Sequence, residues 1–426
     1  MSLPSSTSSP LLVLSLLLLS SLPSSTLADG GKPIVTPITK DPLTGLYTVP
    51  IKSNGAALVL DLAGNLVWSS CNNQQGLRTV PCKSSVCKVA NRNREPCGPP
   101  VGVGNPDPRC TCISYAVNLI SGRCGNGQLA VLPLSANATN GDHPLFPVSF
   151  NAYQTCAPDD FVLDSLPSGA VGMAGLSRQL LSLPNQVASK LKVAKKFALC
   201  LPSGGGQPGA AIFGGGPFVL QSQKPEDLTQ SLAGSLPLVK NPKNSAYYFR
   251  VHGIAVNQQA VSLPAGVLDL DPRTGRGGAV FSTLTQYTTL RDDIYGKVLE
   301  AFEKATGGVQ WVKPPPPFFR CFPESAFGST LLGPGVANID LMLDNGRNWT
   351  LPGASSLVPV AGRLCFAFQS MGSPASQAPD APAIIFGTHQ MQDNLVQFDL
   401  EKNTFGFSGL LLGRRTNCGN YNFKSS

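Results

Sequence analysis

Val59-Leu60-Asp61-Leu62-Ala63-Gly64-Asn65-Leu66-Val67-Trp68 is the stretch that decides the fold. It runs apolar residues into an aspartate, turns on small residues and glycine, and leaves on a second apolar run, so it reads as strand, turn, strand. A weaker copy lies in the second half of the chain, Ala279-Val280-Phe281-Ser282-Thr283-Leu284. Each copy is followed at a distance by an apolar segment with glycine, Ala170-Val171-Gly172 in the first half and Ile384-Ile385-Phe386-Gly387 in the second. A duplicated lobe is the economical explanation.

The composition agrees. In 426 residues there are 44 glycines and 38 prolines, while charged residues make up only 13%. That balance suits many short strands joined by tight turns, and the length is enough for two lobes, each with its own core. We therefore expect a mostly β protein with few short helices. One helix is expected to begin near Pro184, with Val187, Leu191 and Ala194 on one face, and a second over residues 290–304, where Leu290, Ile294, Val298 and Phe302 recur every four positions. Gln310 to Phe319, with four successive prolines, reads as an extended surface loop. The polar stretch 239–245 is expected to cross between lobes, giving lobes at 29–238 and 239–426. The segment after the leader is expected to add a strand to the sheet they share.

The first 28 residues carry no Lys, Arg, Asp or Glu. Their apolar run from Leu11 to Leu19 and the end Thr26-Leu27-Ala28 read as a signal peptide over residues 1–28, since the run is shorter than the roughly 20 residues a spanning helix needs. All 12 cysteines follow it: Cys71, Cys82, Cys87, Cys97, Cys110, Cys112, Cys124, Cys156, Cys200, Cys321, Cys365 and Cys418. An even count behind a secretory leader argues for six disulfides, whose pairing the sequence leaves open. Zinc is disfavoured, because Cys110-Thr111-Cys112 lacks C-x-x-C partners and the chain has only three histidines. No metal and no cofactor are expected. Asn137-Ala138-Thr139 and Asn348-Trp349-Thr350 are glycosylation sequons.

The net charge is +8, yet the basic residues are scattered without interleaved aromatics, which argues against nucleic acid and for an acidic surface as partner. No G-x-S-x-G, H-E-x-x-H or P-loop is present, and His143, His252 and His389 stand apart from one another.

The two turns are the landmarks of the bilobal pepsin-like aspartic protease fold, and the sequence resembles that family over nearly its whole length after the leader. Asp61 matches the aspartate of the family's first D-T-G motif, followed by Leu66 and Trp68, but Leu62, Ala63 and Gly64 depart from the motif. In the second motif Ser282 stands at the aspartate and Leu284 at the glycine. Aspartic catalysis needs two carboxylates that share a proton, one activating water while the other donates to the carbonyl. A serine hydroxyl cannot hold that proton, so the resemblance implies a degenerate dyad, not an enzyme. The loss of Thr and Gly is expected to weaken the interlock of the two loops and to refill the site with apolar packing. By spacing, the flap tyrosine falls at Leu119, with Tyr115 nearby.

Within the pepsin-like group the chain is similar to a plant subset: extracellular dermal glycoprotein, basic 7S globulin, and the inhibitors of xyloglucan endoglucanases and xylanases. The segments that carry this are Pro37-Ile38-Thr39-Lys40-Asp41, Gly169-Ala170-Val171-Gly172-Met173-Ala174-Gly175-Leu176, Phe197-Ala198-Leu199-Cys200-Leu201, Asp393-Asn394-Leu395-Val396-Gln397-Phe398-Asp399-Leu400 and the tail from Leu411 to Phe423. The resemblance implies a protein of the apoplast or cell wall that inhibits a microbial glycoside hydrolase with loops of its C-terminal lobe. A hydrolase cleft carries paired carboxylates, which an arginine bridges with two hydrogen bonds. Arg415 occupies the position that matches the inhibitory arginine of the xyloglucanase-inhibitor branch, with Arg414 as neighbour. Lys313 and Trp311 on the proline loop are the second candidate contact. No histidine precedes the last cysteine, which favours the endoglucanase branch over the xylanase branch. The alternatives are a storage globulin that binds a peptide or cell-wall polymer, and a residual aspartic endopeptidase.

Overall fold

The structure, a computed structural model, describes Met1 and residues 31–71, 77–92, 110–141, 145–157, 163–204, 206–221, 225–232, 235–421 and 423. The leader call, Cys97 and His143 lie outside the described residues.

Six antiparallel strands form the base of the molecule. Ile34–Lys40 pairs Gly209–Phe213, which pairs Lys196–Cys200, which pairs Leu395–Asp399, then Thr404–Phe407, then Leu236–Val239. Sequence on both sides of residue 236 thus meets in one sheet, and Ile34–Lys40 joins it at one edge. Aromatic side chains hold this base together. Phe197 stacks on Phe398 at 4.8 Å, Tyr247 lies 4.7 Å from Phe398, and Phe281 contacts Phe405 and Phe398. Offset and edge-on aromatic pairs of this kind add about 1 kcal/mol each beyond the area they bury.

The echo between the two halves is a repeated pairing pattern. Ala57–Asp61 runs parallel to Ala170–Gly175, while Val67–Ser70 lies antiparallel to Ala170–Gly175 and parallel to the end of Phe146–Ala157. In the second half Ala279–Phe281 runs parallel to Ile384–Phe386, while Thr288–Leu290 lies antiparallel to it and parallel to Phe368–Ser370. Small residues permit these crossings. A Cβ on Gly172 would lie 2.1 Å from the Trp68 carbonyl oxygen, and one on Gly387 would lie 2.7 Å from the Tyr287 carbonyl carbon.

The first expected helix spans Leu183–Leu191 and buries Leu183 and Val187; Lys192 turns left-handed, so Ala194 lies beyond it. The second spans Asp292–Ala305 with Ile294, Val298 and Phe302 buried. It starts two residues later than the periodicity predicts because Leu290 closes the Thr288–Leu290 strand. Asp292 and Asp293 occupy the first turn, where the helix dipole favours negative charge.

Candidate functional site: a degenerate dyad and a basic turn

Asp61 closes its strand and is 3% exposed, with its Oδ1 accepting from the Ala63 amide at 2.9 Å. Its mainchain oxygen accepts from Leu176 at 2.7 Å, which fixes the turn against the Ala170–Gly175 strand. Ser282 follows Ala279–Phe281 in the matching place, its amide donating to the Phe386 oxygen at 3.0 Å. Its hydroxyl is used within its own loop. Oγ accepts from the amides of Leu284 at 3.2 Å and Thr285 at 3.1 Å, and donates to Thr285 Oγ1 at 3.0 Å. An alcohol tied down in this way caps a turn; it does not supply a second carboxylate.

The interlock of the two loops survives in half, through the threonine that the second turn retains. Thr283 Oγ1 donates to the Leu60 oxygen at 2.7 Å and accepts from the Leu62 amide at 3.1 Å. Leu62, in the mirror position, has no hydroxyl to return the bond and is fully buried in the main core. Ala63 packs beside Tyr248 and Val280, and Leu284 beside Trp68 and Met173.

Above Asp61 lies a pocket of about 40 Å³, lined by Gly64, Leu66, Trp68, Tyr115, Leu119 and Met173 among others. That volume holds a few waters, whereas ligand pockets run to roughly 300–1,000 Å³. The hairpin over it, Ile113–Asn118 with Arg123–Ala138, is held by Trp68 Nε1, which donates to the Val117 oxygen at 2.9 Å. Tyr115 lines the pocket from this hairpin, and so does Leu119, which is 44% exposed at its turn.

The basic residues stand elsewhere, on two loops. Arg414 ends the 3-10 turn Leu411–Arg414, and Arg415 follows it in the left-handed conformation (φ 55°), its amide donating to the Leu412 oxygen at 2.9 Å. Both arginines are exposed. The flanking Leu411 and Cys418 are buried against Cys200, Ala210 and Leu395 of the base sheet. On the proline loop, Trp311 is 53% exposed with the Arg320 guanidinium 4.6 Å from its ring centre, and Lys313 is exposed. The loop is closed at its foot by the Val312 amide, which donates to the Cys321 oxygen at 2.8 Å.

Residues 47–215 match the family model described as Xylanase inhibitor N-terminal, and residues 246–409 match Xylanase inhibitor C-terminal. The chain belongs to the xylanase-inhibitor (TAXi) family. It is 46% identical to Chitinase CLP of Oryza sativa subsp. japonica, with 92% of each chain covered, and 35% identical to Gamma conglutin 1 of Prunus dulcis, with 92% of this chain and 90% of the relative covered. Among solved structures, that of edgp superposes with a TM-score of 0.82 at 31% identity, covering 93% of this chain and 100% of the other. Basic 7S globulin from soybean gives 0.75 at 28% identity, covering 92% and 99%. The fold is pepsin-like, in its plant TAXi branch.

Disulfides tie segments of this TAXi chain that lie 25 to 218 residues apart in sequence. Cys71–Cys156, Cys82–Cys110, Cys87–Cys112, Cys200–Cys418 and Cys321–Cys365 are formed, and Cys124 is also disulfide-bonded. Among the described residues no group of three or more His, Cys, Asp or Glu is arranged to hold a metal ion. None of the helices described is long and apolar enough to cross a membrane. The two sequons differ in setting. Asn137 is half-buried in a strand paired on both sides, with Val35 and Pro147, and its Thr139 is buried. Asn348 is exposed on the edge strand Asn348–Leu351.

Sequence reasoning missed three residues. Thr283 stood in the quoted motif and was passed over for its neighbours. Asp393 stood at the head of a quoted segment and Lys52 in none, and no local pattern reports the burial among distant segments that gives either its role.

Proposed function

We propose that this chain is a secreted, non-proteolytic TAXi protein that inhibits a microbial cell-wall glycoside hydrolase, a xyloglucan endoglucanase or a xylanase, by presenting Arg415 to the carboxylates of the enzyme's cleft. The observation that carries this is the exposed Arg414–Arg415 turn, seated on the disulfide-anchored base sheet while the dyad position holds a serine locked into its own loop. An arginine whose backbone is held at a fixed point loses less freedom on binding, and its guanidinium bridges a carboxylate bidentately. Lys313 and Trp311 are the secondary contacts. Residues 1–28 are the secretory leader, 29–238 and 239–426 are the two lobes, and Asn348 is the better glycan acceptor of the two sequons.

The test is a panel of secreted xylanases and xyloglucanases titrated with the purified chain. Stoichiometric, salt-sensitive inhibition is expected, weakened at least tenfold by Arg415→Ala. Inhibition unchanged by that substitution removes Arg415 from the contact, and no inhibition anywhere in the panel turns the reading toward a storage or peptide-binding globulin.

A second reading comes from the relative named as a chitinase. Hydrolysis of a glycosidic bond uses two carboxyl groups roughly 5–9.5 Å apart, and among the described residues Asp61 is the only carboxylate lining its pocket. Release of reducing sugar from chitin oligosaccharides by the purified chain would establish that reading instead.

A further inference from the structure

Asp393 joins the short helix Thr388–Met391 to the base strand Leu395–Asp399 in the left-handed conformation (φ 50°), and it is 3% exposed. Its mainchain oxygen accepts from the Leu411 amide at 2.8 Å. Its Oδ1 accepts from the Cys418 amide at 3.0 Å. Its own amide donates to the Leu201 oxygen at 2.9 Å, one residue beyond the Cys200 that bonds Cys418. Segment 411–418 therefore leaves from and returns to a single residue. Within it the Thr416 amide reaches back to the Leu411 oxygen at 3.3 Å, and the buried Thr416 hydroxyl accepts from Asn420 Nδ2 at 3.0 Å. Only Gly413, Arg414 and Arg415 of the segment are exposed.

We infer that Asp393 is the positioning residue of the basic turn, gripping both of its ends so that Arg414 and Arg415 project at a fixed place; the inference rests on the inhibitory reading for the use of the turn, not for the way it is held. The disulfide and the Asp393 carboxylate both hold the Cys418 end, the carboxylate fixing its amide, while the Asp393 mainchain oxygen holds the Leu411 end. A second tie to the same residue closes an eight-residue loop, the short length at which closure leaves the least freedom. The carboxylate is itself held: Ser203 hydrogen-bonds it, and the Lys40 ammonium, which donates to the Ser203 oxygen at 3.0 Å, attracts it. Nearby, Gln392 Nε2 donates to the Tyr47 hydroxyl at 2.8 Å, which donates to the Pro202 oxygen at 3.0 Å. The grip thus spans the first strand, the 201–203 loop, the Asp393 corner and the tail.

Trypsin, which cuts after arginine, reads the order of this turn without any hydrolase. Asp393→Gly keeps the left-handed backbone and removes the carboxylate, while Asp393→Asn keeps an oxygen to accept from Cys418. Under native conditions we expect Asp393→Gly to be cut after Arg414 or Arg415 at least tenfold faster than the unmodified chain, with Tm lowered by only a few degrees. Asp393→Asn is expected to resist as the unmodified chain does. A glycine variant that is folded and cut no faster overturns the inference. Should that variant fail to fold, amide exchange on the unmodified chain decides. Leu411 and Cys418 amides protected to the same degree uphold the double grip, and a Cys418 amide exchanging at least a hundredfold faster than Leu411 overturns it. A cut turn with hydrolase inhibition undiminished upholds the grip while removing the turn from the inhibitory contact.

Discussion

Thr283 Oγ1 lies 2.7 Å from the Leu60 carbonyl oxygen, so a residue of one half of the chain fixes the strand that carries Asp61 in the other half. The same hydroxyl satisfies the Leu62 amide. Ser282, the next residue back, offers no carboxylate for this bond to position beside Asp61. What remains is its structural part, the joining of two loops that both end in buried backbone.

Thr283→Val keeps the shape and removes both bonds. It leaves the Leu60 oxygen and the Leu62 amide buried without this partner, at about 1–3 kcal/mol for each group. The expected loss is about 2–4 kcal/mol in urea unfolding with an unchanged slope. A loss below about 0.5 kcal/mol would show that the interlock carries no weight.

His389 sets a pH dependence. Burial is the main reason its pKa falls to about 4, and the Lys40 charge pushes the same way, while hydrogen bonds to Leu357 and Gln392 oppose. The unfolded chain therefore takes up a proton near pH 6.5 that the folded chain refuses until about pH 4. Stability is present in full above pH 6.5 and is lost as pH falls toward 4, by about 3 kcal/mol from this one group. The raised pKa of the buried Asp393 acts in the opposite sense, since its carboxylate costs stability as pH rises through its folded value. His389→Gln should flatten the difference between pH 6.5 and 4 in thermal unfolding; a parallel pH profile in both chains would refute the assignment.

Lys52 is a fully buried ammonium with two neutral hydrogen-bond partners: Nζ donates to Ser69 Oγ at 2.8 Å and to Gln154 Oε1 at 3.2 Å. Desolvation lowers its pKa to about 8. Below that pH the folded chain bears the full penalty of a buried charge, which is relieved as pH rises from about 8 to the unfolded value near 10.5. Lys52→Met should stabilise the protein at pH 7 by about 1–2 kcal/mol, the gain shrinking above pH 8. Equal destabilisation at pH 7 and pH 10 would mean that the two hydrogen bonds outweigh desolvation.

The sequence by itself determined the duplicated strand-turn-strand units, the serine that stands in the second turn, both longer helices and the membership of the plant pepsin-like group. These are readable because a period-two pattern, a glycine at a crossing and a motif residue are local facts. Helix limits were less legible: Leu290 fits the four-residue period but pairs in a strand, since ladder bonds to Ile384–Phe386 compete for it. Only the tertiary structure decided what holds the two turns that matter. Thr283 bonds across 223 residues to Leu60, and Asp393 across 25 to Cys418. No periodicity or motif reports such pairs, because a hydroxyl or carboxylate acquires its role from the distant backbone groups that burial places beside it.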